Sequence, residues 1–407
     1  MPQVSSHALT FVLITLLIDT IGLGIIIPVM PELITELTGE GLDRAAIYGG
    51  AMMFAYALMQ FFFSPVLGNL SDRYGRRPIL LLSLFALSID YLILAFASTL
   101  LWLFIGRLLA GIAGATYSTA NAFIADITPP EERARRFGLV GAAFGLGFII
   151  GPVIGGILGE YGARVPFYAA AGLAFLNLLY GLIVLPETLP RENRRDFSIR
   201  QANPVGALLQ MRHYAIPMGF FGIIVFHQIA HDANPAIWSY YTIEKFNWSE
   251  REVGYSLAFV GFMLVMVQGG LIKYAIDWFG EQRTVYIGFS VMAVGFLGFA
   301  LAENTWLMYA AVIPFALGGV AMPALRSIMS AQTPADSQGA LQGAIGSLVS
   351  LTMIFSPLIM TGLFGYFSSE AAPVYFPGAA FLAASMMLLL SIILFWRVNR
   401  GQSPTMV

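Results

Sequence analysis

The chain is 407 residues long, with 58% hydrophobic and only 11% charged residues, and its mean hydropathy is +0.76. Soluble domains carry about a quarter charged residues, so a surface this poor in charge faces lipid rather than water. A formal net charge of −2 and the lack of any cysteine argue against a nucleic-acid partner and exclude disulfides and thiolate metal sites.

The apolar residues fall into twelve runs, near 8–29, 45–69, 78–98, 101–125, 136–159, 166–185, 214–240, 252–272, 283–302, 305–329, 339–364 and 374–396. Each is long enough to cross about 30 Å of hydrocarbon as a helix of roughly 20 residues, and far longer than the ~10 alternating residues of a barrel strand. Lipid offers no water to a bare backbone, so helices are the expected form. No Lys or Arg precedes the first run and no small-residue cleavage site follows it, which predicts a retained helix rather than a removed signal peptide. One side of this plan holds Arg73, Arg76, Arg77, Arg133, Arg135, Arg136, Arg191, Arg194, Arg195, Arg200, Arg212, Arg397 and Arg400. The other carries little beyond Arg44, Arg164, Lys245 and Arg251. Excess cations mark the cytoplasmic side, so both termini and the central loop are expected there.

Polar residues within the runs are costly and therefore informative. The first run carries Asp19 and the second Gln60. The loop that follows reads Gly68-Asn-Leu-Ser-Asp72-Arg73-Tyr-Gly75-Arg76-Arg77-Pro78. It sets an acid and three guanidinium groups in a turn that Gly75 can bend and from which Pro78 can start a helix. Ordinary anchoring accounts for the arginines but not for the Asp-x-x-Gly framework. The third run holds Asp90 and the fourth Arg107, followed by Gly111 and Gly114, which leave room for a close helix neighbour. A guanidinium there faces a cavity or a partner, a backbone carbonyl being the structural alternative. In the fifth run Gly147, Gly151, Gly155 and Gly156 surround Pro152. The four-residue spacing makes a flat face for backbone approach, and the proline permits a bend.

Residues 186–213 are polar and Arg-rich and read as a linker. The seventh run contains His227-Gln228-Ile-Ala-His231-Asp232-Ala-Asn234-Pro235, with two histidines one turn apart on a shared face. Imidazole titrates near neutrality and a neighbouring carboxylate raises its proton affinity. The cluster is open to several readings: a proton carrier, a hydrated substrate site near the outer surface, or a satisfied structural group. A metal site of two His and one Asp lacks an evident fourth ligand, so no metal is expected; His227-x4-Asp232 also fits a loose acyltransferase pattern. The eighth run carries Gln268.

The chain repeats itself 205 positions on. Asp72-Arg73-Tyr74-Gly75 is answered by Asp277-Trp278-Phe279-Gly280, Gly114 by Gly319, Thr128-Pro129 by Thr333-Pro334, Gly138 by Gly343 and Pro152 by Pro357. Six helices followed by six similar ones is the parallel-repeat plan of many secondary transporters, whose bundles rock about a midplane site.

The loop at 68–78, with its degenerate echo at 277–283, resembles the cytoplasmic signature of the major facilitator superfamily. The resemblance implies a cytoplasmic gate at Gly68, Asp72, Arg73, Gly75, Arg76 and Arg77, joined by Asp126 and Asp277. The Gly106-Arg107 segment is similar to the family's fourth-helix motif, whose arginine is linked to proton coupling. Gly147-x-x-x-Gly151-Pro152-x-x-Gly155-Gly156 matches the motif of its antiporters. Within the superfamily the chain looks most like the tetracycline efflux proteins along nearly its whole length: Asp19-Thr-Ile-Gly22-Leu-Gly24 with Pro28 and Pro31, Tyr56-Ala-Leu-Met-Gln60, Asp90-Tyr91, Asp126-Ile-Thr128, Met322-Pro323 and Gln342-Gly343. This places Asp19, Gln60, Asp90, Arg107 and Gln268 along the path.

Three departures stand out. The eighth-helix His and ninth-helix Asp of tetracycline exporters are replaced by Leu264 and Met292, and Arg326 stands where a glutamine is expected. The cluster at 227–234 is the candidate replacement. The fold class expected is an all-α polytopic membrane protein of twelve helices, a major facilitator fold with six-helix bundles at 1–185 and 214–407 and a cytoplasmic linker at 186–213. The function expected is proton-coupled efflux of a tetracycline-like or other amphiphilic drug or metabolite from a bacterial inner membrane by a monomer without cofactors. Asp19, Asp90, Arg107 and Asp232 are the proton-coupling candidates; Gln60, His227, Gln228, His231, Asn234 and Gln268 are those for substrate. A proton symporter is the rival within the fold. A polytopic membrane enzyme would need a convergent catalytic group, and neither a nucleophile elbow nor a zinc-protease motif is found.

Overall fold

The computed structural model describes residues 6–114, 116–129, 132–197, 218–334 and 338–401. Arg200, Arg212 and the linker beyond residue 197 lie outside the described residues. The helices are α1 Ser6–Ile26, α2 Met30–Thr38, α3 Leu42–Tyr74, α4 Arg76–Phe96, α5 Leu100–Ala113, α6 Thr116–Asp126, α7 Arg133–Gly159 and α8 Val165–Val184. They continue with α9 Met218–Phe246, α10 Glu250–Met266, α11 Ile272–Leu301, α12 Thr305–Leu317, α13 Ala321–Ala331, α14 Gln338–Ser368 and α15 Ala379–Gly401.

Nine helical stretches among the described residues are long and apolar enough to cross a membrane. One of them, Glu250–Leu301, contains two of the expected spans, separated where Gly280 leaves helical geometry. The expected span 101–125 is divided into α5 and α6, and α9 has its apolar run interrupted by His227, Gln228, His231, Asp232 and Asn234. Among the described residues each of the twelve runs is mainly helical, the last of them only from Ala379. The short α2 was not expected; Pro31 at its start and the left-handed Gly39 at its end delimit it.

The internal repeat is written into the backbone. Gly75 and Gly280, which are equivalent, both take positive φ, +108° and +73°, a conformation that costs glycine nothing. The fourth membrane helix breaks at Gly114, between α5 and α6. Its equivalent breaks at Gly318–Val320, a 3-10 turn between α12 and α13. Pro152 and Pro357 both lie inside helices.

The chain folds as two compact units. The first is Met1–Gly41, Met52–Pro204 and Trp248–Gly261; the second is Leu42–Ala51, Val205–Asn247 and Phe262–Val407. In the first, α1 packs along α7 and α4 lies against α8 and α5, and part of its core is Phe11, Leu16, Leu80, Phe123, Ile124 and Val140. In the second, α9 lies against α14 and α15, and α11 against α12, α13 and α15. Its core is aromatic, with Trp238 edge-on to Phe299 at 5.1 Å and Tyr241 edge-on to Phe381 at 5.0 Å. Outward-facing Ile183 and Trp306, each 83% exposed, belong to apolar surfaces that water would not stabilise and lipid does.

Candidate functional site

In the first unit the buried charges converge. Arg107 on α5 donates from Nη2 to Oδ2 of Asp90 on α4 at 2.6 Å, with Asp90 fully buried. The approach depends on Gly106, where a Cβ would lie 2.7 Å from Asp90 Oδ1. Neither that oxygen nor Arg107 Nε has a hydrogen-bond partner among the described residues. Asp19 on α1 faces Asn177 of α8, and its Oδ1 likewise has no partner among the described residues. Tyr56 and Tyr91 lie within electrostatic reach of Asp19, Asp90 and Arg107 alike, which makes these five residues one connected group.

Asn177 and the tyrosines are additions to the sequence-based set. The sequence reading did not single out Asn177, although a lone Asn in an otherwise apolar helix is a signal for it; it is hydrogen-bonded to Thr15 through both its oxygen, at 3.2 Å, and its nitrogen, at 3.4 Å. Gln60 donates to Tyr56 Oη at 3.5 Å and to the carbonyl of Gly114 at 3.3 Å. It thus satisfies the backbone where α5 breaks from α6.

The loop between α3 and α4 is organised by Arg76. Its guanidinium pairs with Asp72 at 2.5 Å and with Asp126, at the end of α6, at 3.1 Å, and it also donates to Ser71 at 2.7 Å. Glu187, beyond α8, accepts from the backbone N–H of Arg76 at 2.9 Å and of Arg77 at 3.3 Å. A carboxylate there meets the positive end of α4. Glu187 sits against Gly75, where no Cβ has room, so the sequence reading missed the partner that explains this glycine. Gly68 contributes a carbonyl to Ser71 at 2.7 Å, and Arg77 donates to the Leu182 carbonyl at 2.8 Å. Arg73 lies over the Tyr74 ring. In the second unit Asp277 is exposed; there Glu281, four residues on, accepts from Ser327 at 2.5 Å.

The glycines of α7 are where another backbone touches it. A Cβ at Gly147 would lie 2.6 Å from Thr20 Cβ, and one at Gly151 would lie 2.8 Å from Gly24 Cα. A Cβ at Gly155 would strike the Ile25 carbonyl. Gly156 instead meets the start of α10 at Glu250, while Pro152 touches both helices, its ring at Gly24 of α1 and its carbonyl at Gly254 of α10. The motif is a two-sided seat, for α1 on one flank and α10 on the other.

In the second unit the α9 cluster is assembled around Asp232. Its carboxylate accepts from Gln228 at 2.8 Å and from Ser356 of α14, all neutral donors. His227 and His231 stack at 5.9 Å, His227 on Phe289 at 5.6 Å and His231 near Phe315 at 6.3 Å. His227 Nδ1 and Asn234 Nδ2 are buried without partners among the described residues. Gln268 lies apart on a π-helical segment, Val267–Leu271, and is exposed. Leu264 packs with Val267, Ala316 and Val320, and Met292 is buried against Gly318, so both side chains belong to apolar packing.

A profile of the Major Facilitator Superfamily matches residues 12–357 and 220–405, and the chain belongs to that superfamily. It is 40% identical over 360 residues to the class C tetracycline resistance protein of Escherichia coli, covering 88% of this chain and 90% of that one. To the class H protein of Pasteurella multocida it is 35% identical, covering 99% of both. Within the superfamily it is therefore a member of the tetracycline-resistance-like branch, a secondary transporter and not an enzyme. A crystal structure of a nucleoside transporter superposes with a TM-score of 0.78 at 11% identity, covering 97% of this chain and 100% of that one, which speaks for the fold alone.

Proposed function

We propose that the chain exports a tetracycline-like amphiphilic compound across a bacterial inner membrane in exchange for protons, as a monomer with both termini cytoplasmic. The bundles are residues 1–185 and 214–407, joined by the linker 186–213. The observation that carries this reading is the buried Asp90–Arg107 pair, in contact with Gly106, with Tyr56 and Tyr91 within electrostatic reach of both the pair and Asp19. A charge at the centre of a membrane helix costs about 2.5–3.5 kcal/mol on insertion scales. Binding or losing a proton there changes that cost, and two conformations that burry the group differently are biased accordingly. Asp19 and Asp90 carry the proton in the first unit and Arg107 holds the pair in register. Asp232 supplies the corresponding titratable group in the second, in place of the positions now held by Leu264 and Met292. His227, His231 and Asn234, with nitrogens on His227 and Asn234 that have no partner among the described residues, offer hydrogen bonds to a substrate beside Gln228; Gln60 in the first unit and the exposed Gln268 in the second are further polar candidates. The Arg76 hub with Asp72, Asp126 and the surrounding Gly68, Arg73, Gly75 and Arg77 is the cytoplasmic gate of the first unit, and Asp277 stands at the equivalent position of the second.

The test is uptake into inside-out vesicles with an imposed pH gradient, acid inside, using tetracycline and a panel of other amphiphiles. Gradient-dependent accumulation is expected, lost in Arg107→Ala. Accumulation that survives collapse of the gradient, or accumulation of no compound at all, overturns the reading.

A further inference from the structure

Asp90 and Tyr91 are successive residues of α4, both buried, and consecutive side chains on a helix point about 100° apart. Asp90 turns to α5, where it meets Gly106 and pairs with Arg107. Tyr91 turns to α1. A Cβ at Gly22 would lie 2.6 Å from Tyr91 Oη, 3.2 Å from its Cζ and 3.3 Å from its Cε2. The tip of the phenol thus rests in a notch that a bare glycine leaves in α1. Gly22 stands three residues beyond Asp19, and residues so spaced share a helix face. The hydroxyl is set one turn from Asp19 along α1, while its own backbone adjoins Asp90.

Four buried atoms of this group have no hydrogen-bond partner among the described residues: Asp19 Oδ1, Asp90 Oδ1, Arg107 Nε and Tyr91 Oη. They are not chemically equivalent. An ionised carboxylate only accepts and a guanidinium only donates, whereas a phenol does both. Its O–H also swings about the C–O bond without moving the ring, so one hydroxyl can turn from one acceptor to another. Tyr56, the other phenol of the group, is held elsewhere: its Oη accepts from Gln60 at 3.5 Å and lies 2.7 Å from where a Gly114 Cβ would stand. The titratable and charged groups within electrostatic reach of Tyr91 are Asp90 on α4, Arg107 on α5, Asp19 on α1 and Tyr56 on α3.

We infer that Tyr91 is a positioning residue of the proton route, its hydroxyl serving Asp19 and Asp90 in turn as hydrogen-bond donor to whichever of them is ionised and unserved. The inference rests on the proposed proton coupling through these two acids. One O–H serves one anion at a time. When Asp19 takes up a proton the hydroxyl is released to Asp90 Oδ1, and when Asp19 loses the proton it turns back. The phenol keeps its own proton throughout. Asp90 retains Arg107 on Oδ2 in either arrangement, whereas the side-chain partner of Asp19 is the neutral Asn177. Loss of the hydroxyl is therefore felt chiefly at Asp19.

Tyr91→Phe removes the hydroxyl and keeps the ring in the Gly22 notch. The full chain in lipid is titrated by infrared spectroscopy, without substrate, and each protonated carboxyl C=O band is assigned by its loss in Asp19→Asn or Asp90→Asn. In Tyr91→Phe the pH at which the Asp19 band disappears is expected to move by about one unit, a tenfold change in proton affinity. Gly22→Ala, whose methyl group would strike Oη, checks the position independently. It should move the Asp19 midpoint in the same sense as Tyr91→Phe. Added to Tyr91→Phe, where the atom it strikes is gone, it should change the affinity by less than about twofold. An Asp19 midpoint that stays put in Tyr91→Phe, or two effects that simply add, overturns the role of Tyr91 and leaves the transport assignment standing. Were neither Asp19→Asn nor Asp90→Asn to remove a carboxyl band at any pH, proton coupling through these acids would fail, and the role of Tyr91 with it.

Discussion

Gln60 reaches across from α3 to the Gly114 carbonyl, 3.3 Å away, at the point where the fourth membrane helix breaks. A carbonyl freed by a helix break and buried from water costs about 1–3 kcal/mol if its partner is removed. Gln60→Met should therefore lower the thermal midpoint of the purified protein, while Gln60→Glu, in its protonated form, retains a donor. Should Gln60→Met leave the midpoint unchanged and only raise KM, Gln60 is a substrate ligand rather than a backbone cap.

The Asp90–Arg107 pair makes a prediction about asymmetry. Removing one partner strands a buried charge at a cost of about 3–5 kcal/mol, whereas replacing both with apolar groups of similar volume is often close to neutral. Arg107→Met and Asp90→Leu should each destabilise strongly and the double variant much less, measured as unfolding in detergent. Gradient-driven transport should be lost in all three. A double variant that pumps would remove the pair from the proton route.

The repeat explains why so much was legible in the sequence. Gly75 and Gly280, Gly114 and Gly319, and Pro152 and Pro357 mark the same bends in each half, because glycine and proline report backbone geometry directly. Buried charge was equally readable, since Arg107 in an apolar run had to find a partner and Asp90 is that partner. Partners supplied by ordinary polar residues were not. Glu187, in a stretch that reads as linker, completes the Gly75 turn through space from 111 positions beyond Arg76. Asn177 meets Asp19 only because α8 packs beside α1. The Asp277 echo resembles Asp72 in sequence, yet in the second unit it is Glu281 that bonds to Ser327, a distinction of one helical turn that spacing cannot resolve.

The glycine face of α7 separates packing from chemistry. A methyl group at Gly155 would collide with the Ile25 carbonyl, and one at Gly151 would come within 2.7 Å of the Ile21 carbonyl. Overpacking of this kind costs about 1–3 kcal/mol, so Gly155→Ala should lower the thermal midpoint and slow transport. Gly138, on the same helix, has nothing within 4 Å of where a Cβ would stand, and Gly138→Ala should match the wild type or exceed it slightly through helix propensity. Equal behaviour of the two variants would mean that α1 does not need this close approach.

Asp232 tests whether the α9 cluster has taken over from the apolar Leu264 and Met292. Asp232→Asn keeps a carboxamide that can still bond to Ser356 and Gln228, but it cannot bind or release a proton at any physiological pH. If Asp232 is a proton carrier, this variant should lose accumulation driven by a pH gradient while retaining exchange of labelled for unlabelled substrate, which needs no net proton movement. Ser356→Ala removes a hydrogen-bond donor and leaves the titratable carboxylate, so gradient-driven accumulation should persist at a reduced rate. The pair of measurements separates a carrier from a structural acid. Loss of both activities in Asp232→Asn would point to disrupted binding or folding, and full accumulation would place proton movement on Asp19 and Asp90 alone.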